Sequence, residues 1–139
     1  MELINGIGKR KEYNDKGKLI FEGEYKNGKR NGSGNEYNDE GKLIFEGEYL
    51  NGKRNGKGKE YNNKSELEFE GEYVNGERNG IGKEYYHKVL QFEGQFENGK
   101  KNGKGKEYDS YGNVEFEGEF INGEKQVKFN KILNKFINF

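Results

Sequence analysis

The side chains with the most chemical potential in this chain are carboxylates. Glu22, Glu46, Glu70, Glu93 and Glu117 recur at near-constant spacing, and Glu24, Glu48, Glu72 and Glu119 stand two residues further on in four of the same units. Paired carboxylates serve glycoside hydrolysis and calcium binding. A catalytic pair, however, needs two different environments that drive its pKa values apart, and a ladder repeated in every unit offers no singular position. The spacing reads as a solvated face on which glutamates meet lysines of adjacent strands. His87 is the only histidine and there is no cysteine, so a transition-metal cluster or a nucleophilic triad has no partners to draw on. His87 reads as a surface-loop residue. No GxxxxGK[ST] and no GxGxxG leading from strand to helix is present to cradle phosphate. No catalytic, metal-binding or cofactor-binding residue is assigned, no small-molecule substrate is expected, and the chain reads as non-enzymatic.

The basic residues gather at turn tips: Lys29-Arg30, Lys53-Arg54 and Lys100-Lys101. Such an edge offers contact to anionic lipid or to nucleic acid, but Glu77 and Glu124 occupy the same position in other units, and lysine at a hairpin margin also protects against unwanted strand pairing. The formal net charge is zero, which gives no global attraction to a polyanion, and no nucleic-acid partner is expected.

These side chains are positioned by a repeat. Phe21 to Ile44, FEGEYKNGKRNGSGNEYNDEGKLI, returns from Phe45, Phe69, Phe92 and Phe116, with offsets of 24 (45 − 21), 24 (69 − 45), 23 (92 − 69) and 24 (116 − 92) residues. A fixed period of this length marks an array of supersecondary units that bury their apolar faces on one another. Within the unit, Asn27-Gly28 between runs of alternating polarity calls for a two-residue type I′ hairpin turn. Strict pairing about that turn sets Tyr25 against Arg30, Gly23 against Gly32 and Phe21 against Gly34, and a four-residue loop at 38–41 then places Phe45 between Gly34 and Gly58. Alternation across a strand collects Leu43, Phe45, Gly47 and Tyr49 on one face and Ile44, Glu46 and Glu48 on the other. The aromatic rings are expected to lie across the bare backbone of the glycines.

At 29% hydrophobic and 36% charged residues, the chain is too polar for an ordinary layered globule of 139 residues. Its 10 Phe and 10 Tyr instead concentrate the apolar area in rings, which predicts an all-β fold: a thin, single-layer, elongated antiparallel sheet of repeated β-hairpins. Residues 1–20 read as a truncated repeat, because Glu12-Tyr13 followed by NDKGKLI matches Glu36-Tyr37 followed by NDEGKLI. NGIGKRKEY carries two residues more than NGSGNEY, so either a bulge is inserted or Arg10 stands where Gly34 stands. Residues 21–124 form the regular array. One residue is missing between Tyr85 and Val89, where a different turn is expected. In residues 125–139 the glycines disappear, and Phe129, Ile132, Leu133, Phe136 and Ile137 recur at helical spacing, predicting an amphipathic helix that caps the open sheet or docks on a membrane or partner. No apolar run is long enough to span a membrane, and the absence of cysteine fits a reducing, cytoplasmic location.

The pattern of FEGEYKNGKRNGSGNEY (aromatic, x, Gly, x, aromatic, a turn, then Gly-x-Gly) resembles the MORN repeat over residues 5 to 124. The Gly58-Lys59-Glu60-Tyr61 form is similar to variants in bacterial antitoxin components and in microbial-eukaryote and giant-virus proteins. Tyr or Phe replaces the frequent Trp, and Asn31, Asn55, Asn79 and Asn102 stand where the family often has His. The resemblance implies a twisted ribbon of hairpins used for protein binding, self-association or phospholipid contact. The expected role is a scaffold or adaptor that binds a protein partner or a second copy of itself through an exposed aromatic face: Phe21, Tyr25, Phe45, Tyr49, Phe69, Tyr73, Phe92, Phe96, Phe116 and Phe120. The alternative is a peripheral membrane module that contacts anionic phospholipid through Lys29, Arg30, Lys53, Arg54, Lys100 and Lys101 together with the C-terminal helix.

Overall fold

The computed structural model describes residues 6–127. Eleven strands form one open antiparallel sheet in which spatial order equals chain order. They are β1 (Ile7–Tyr13), β2 (Leu19–Lys26), β3 (Lys29–Tyr37), β4 (Leu43–Leu50), β5 (Lys53–Tyr61), β6 (Leu67–Val74), β7 (Glu77–Tyr86), β8 (Val89–Glu97), β9 (Lys100–Tyr108), β10 (Val114–Ile121) and the two-residue β11 (Glu124–Lys125). Each strand pairs through its backbone only with its neighbours in this order, and no helix occurs among the described residues. The helix expected over 125–139 falls almost wholly outside the described residues. Its first position is corrected: Lys125 is in β11, opposite Phe120, and the amide of Gln126 donates to the Glu119 carbonyl at 2.8 Å.

The hairpin turns are as the sequence implies, with Asn27 and Gly28 at φ of 51° and 81°, the two positive values that a type I′ turn demands. The loop at 38–41 is held by the Asn38 side chain, which accepts the amides of Glu40 and Lys42 at 2.9 and 3.0 Å. Where a residue is missing, the chain turns instead through His87 and Lys88, both at positive φ (48° and 70°).

The register beyond the turn differs from strict pairing. Tyr25 faces Arg30, but Gly23 faces Gly34 and Phe21 faces Glu36, so Asn31, Gly32 and Ser33 together oppose Glu24. This wide bulge recurs in the β4–β5, β6–β7 and β8–β9 hairpins. It forms because Gly32 takes a φ of 104°, a region closed to residues with a Cβ. A second irregularity leaves Ile44 as an extra residue, since Tyr37 pairs with Leu43 and Glu36 with Phe45. Phe45 therefore stands between Glu36 and Glu60 on the neighbouring strands, not between Gly34 and Gly58. At the start of the array Arg10 pairs with Gly23, so Arg10 occupies the place of Gly34.

The shifted register aligns the glycines. Gly23, Gly34, Gly47, Gly58, Gly71, Gly82, Gly94, Gly105 and Gly118 pair successively across the sheet. Phe and Tyr rings lie on one side of this row. A Cβ on Gly58 would sit 2.5 Å from Cζ of Phe45 and 3.0 Å from Cε2 of Tyr73, so the ring and a side chain cannot share the position. The core is this single file of rings packed edge to face, with Phe45 5.8 Å from Tyr49 and 5.2 Å from Tyr73, centroid to centroid.

Candidate binding surface

The aromatic face is closed. Phe21, Tyr25, Phe45, Tyr49, Phe69, Tyr73, Phe92, Phe96 and Phe120 are at most 4% exposed, and Phe116, at the end of the array, is half-buried. The expectation of an exposed aromatic stripe is thus corrected. Its cover comes from the basic residues after each turn, because Arg30 faces Tyr25 across the hairpin and extends over the neighbouring ring. The Arg30, Arg54 and Arg78 guanidinium carbons stand 4.0, 3.9 and 4.0 Å from the centroids of Phe21, Phe45 and Phe69. Lys101 Nζ does the same over Phe92 at 4.3 Å, a cation–π arrangement.

Glutamates from the Gly-x-Glu-Tyr segments, and Glu12 at the matching place in β1, hold these cations in place. Arg30 Nε donates to Glu12, Arg54 Nε to Glu36 and Arg78 Nε to Glu60 at 2.7, 2.7 and 2.8 Å, and Lys101 reaches Glu84 at 3.2 Å. Tyr25 and Tyr73 hydroxyls donate to Glu12 and Glu60, whereas the Tyr49 hydroxyl lies beside Glu36 without an aligned partner. Burial, helped by Glu36 and Glu60, pushes the Tyr49 and Tyr73 phenols far above their usual range. Burial also acts to raise the Glu60 carboxyl, but hydrogen bonds from Arg78 and Tyr73 outweigh it and hold Glu60 below the ordinary carboxylate range. Arg30, Arg54 and Lys101 are therefore ring covers, not turn-tip contacts. Of the six basic residues considered for lipid, Lys29, Lys53 and Lys100 project freely as exposed residues.

The opposite face carries the surface with room for a ligand. Because Gly34, Gly47, Gly58, Gly71 and Gly82 stand at positions whose side chains would point to the aromatic face, this face is bare backbone between two rows of side chains. Cross-strand pairs build one row from Asn35, Glu46, Lys59, Glu70 and Lys83, and the other from Ser33, Glu48, Lys57, Glu72 and Ile81. Between them runs an open groove of about 610 Å³ over Gly34, Gly47, Gly58, Gly71 and Gly82. The glutamates considered above as candidate chemistry divide here into two structural roles. Glu48 and Glu72 fold into the bulges and accept the amides of Lys57 and Ile81 at 2.6 and 3.1 Å, as Gln95 does for Lys104 at 2.8 Å. Glu46 and Glu70 accept the hydroxyls of Tyr61 and Tyr85 at 2.5 and 2.8 Å. Partial burial, assisted by those carboxylates, pushes both phenols up to about 12. His87 sits in its exposed turn, Nδ1 3.5 Å from Glu66. Among the described residues, no group of three or more His, Cys, Asp or Glu side chains is placed to hold a metal ion.

The family model for the MORN repeat matches this chain five times, at residues 21–41, 45–65, 69–88, 92–114 and 116–128. The chain belongs to the MORN repeat family. No curated protein matches it. MORN repeats serve generally as scaffold modules for protein and membrane interaction, and the two surfaces just described are what this MORN array has to offer. Reading the sequence missed the covering arginines and the bulge. Both carried a signal: an Arg or Lys recurs at 30, 54, 78, 101 and 125, and each regular repeat holds a second Asn-Gly pair, at Asn31-Gly32, Asn55-Gly56, Asn79-Gly80 and Asn102-Gly103.

Proposed function

We propose that this MORN array is a non-enzymatic scaffold that holds an extended segment of a partner protein in the glycine-floored groove of its polar face. The observation that carries the reading is the contrast between the faces: one has its rings sealed under paired cations, while the other leaves backbone bare between two charged walls. An extended segment would lay its backbone on the glycine floor and meet both signs of charge from Glu46, Lys59, Glu70 and Lys83. A partner of mixed charge suits such walls better than a polyanion does.

The test is capture by the immobilised full chain. Reversing the walls with Lys57→Glu and Lys83→Glu should abolish retention of the partner, while reversing the turn tips with Lys29→Glu, Lys53→Glu and Lys100→Glu should leave it intact. Circular dichroism establishes that both variants fold. Retention by the wall variant would sink the groove reading. If the wild type instead cosediments with anionic vesicles, and the turn-tip variant alone loses that property, the array is a peripheral membrane module.

A further inference from the structure

The walls of the glycine-floored groove alternate in charge from strand to strand. Glu46 and Glu48 stand on β4 and Glu70 and Glu72 on β6, whereas lysines stand on the odd-numbered strands, Lys57 and Lys59 on β5, Lys83 on β7, and Lys104 and Lys106 on β9. The carboxylates are already engaged: Glu46, Glu70 and Glu93 accept the hydroxyls of Tyr61, Tyr85 and Tyr108, and Glu48 and Glu72 accept amides of the bulges. Lys57, Lys59 and Lys83 are exposed, and among the described residues none of their ammonium groups stands in an ion pair. The groove thus offers a ligand its lysines, one rung on every second strand, and with strands about 4.8 Å apart these rungs recur at about 9.6 Å.

That spacing selects a conformation. The two walls spring from positions two residues apart on each strand, about 6.8 Å, which is too narrow for an α-helix about 10 to 12 Å across. A β-strand repeats every two residues, at about 6.8 Å, and loses phase with the lysines by the second rung. Polyproline II repeats every three residues, at about 9.3 Å, within about 0.3 Å of the lysine interval. The floor favours it as well. Its glycines lie in central strands paired on both sides, so their amides and carbonyls point in the plane of the sheet and not up into the groove, and proline brings no N–H that would want an acceptor there. We propose that the groove takes a polyproline II segment with an acidic residue at every third position, its carboxylates resting on Lys59, Lys83 and Lys106 in turn. This rests on the groove reading above and adds the partner's conformation and charge period. Acids at this interval meet lysines and pass over the glutamates between them, which a continuous polyanion cannot do; the other two positions of each turn are open to proline and to basic residues.

Fluorescence anisotropy of the full chain with a labelled peptide of repeated Glu-Pro-Lys tests this, set against a peptide of the same composition whose glutamates fall alternately two and four residues apart. The periodic peptide should bind about tenfold more tightly than the shuffled one, as several exposed ion pairs in register would give. A chain carrying Lys59→Ala and Lys83→Ala should lose that preference while circular dichroism reports the native sheet. Equal affinity of the two peptides, both lost on reversing the walls with Lys57→Glu and Lys83→Glu, would overturn the charge period and leave the groove reading standing. Binding of neither peptide would overturn the proposal whatever the capture experiment returns, as would a preference that survives removal of the two lysines.

Discussion

Arg54 illustrates how much one side chain carries in a sheet only one layer thick. Its guanidinium covers Phe45, approaches Tyr73 at 5.9 Å and donates to Glu36, so a ring that a second layer would bury elsewhere is here kept from water by a cation held in place by a carboxylate. The glycine beneath matters as much. Gly58→Ala should cost about 1 to 3 kcal/mol, because the ring of Phe45 is pinned from above and has nowhere to shift, whereas Lys53→Ala at the exposed tip should stay within about 0.5 kcal/mol; urea unfolding of the two variants compares them. Glu60 makes stability pH-dependent. Its folded pKa is depressed, so its contribution is present above the ordinary glutamate value, about 4.3, and disappears as pH falls through the lower folded value. Glu60→Gln should therefore lower the urea midpoint at neutral pH and flatten its decline on acidification; an acid limb as steep as that of the wild type would show that Glu60 does not supply it.

At the level of the hairpin, the deciding feature is the bulge. Strict alternation from Asn27-Gly28 locates the strands and the aromatic face correctly, since both depend on the period of two and on the turn residues. It fails three residues past the turn, because Gly32 at positive φ absorbs two residues into the bend and brings Gly34 opposite Gly23. Nothing in the polarity pattern marks that event; the second Asn-Gly of each repeat does. The same shift explains why exposure of the rings was misjudged: covering depends on Arg30 and Glu36 standing beside particular rings, which is a matter of register and not of composition. The carboxylate that fills the bulge gives the third prediction. Glu48→Gln should be tolerated within about 0.5 kcal/mol, as Gln95 performs the same task naturally, while Glu48→Ala strands the Lys57 amide and should cost about 0.5 to 1.5 kcal/mol. Equal thermal midpoints for the two variants would dismiss the bulge carboxylate as a structural element. In the last repeat Val127 occupies the place of Gly32, a position that the other bulges fill with glycine at positive φ.

Across the whole molecule, the described strands follow one another in chain order, pair through their backbones with their neighbours, and reach one strand further through side chains such as Arg54 to Glu36. With neighbouring strands about 4.8 Å apart, the sheet should extend roughly 45 to 50 Å along the direction in which repeats succeed one another. That arrangement has a mechanical consequence. The outermost of the described strands are also the first and last of them in sequence, and all lie across the long axis, so tension applied between residues 6 and 127 peels hydrogen bonds open in turn instead of shearing a whole strand at once. Nearest-neighbour coupling lets a repeat leave without dismantling those behind it, and a unit of 24 residues (45 − 21) releases about 80 Å of contour at about 3.3 to 3.6 Å per residue. In an optical trap the molecule should lengthen in small, regular, reversible steps at low force. It would behave as an extensible tether whose slack is stored one hairpin pair at a time.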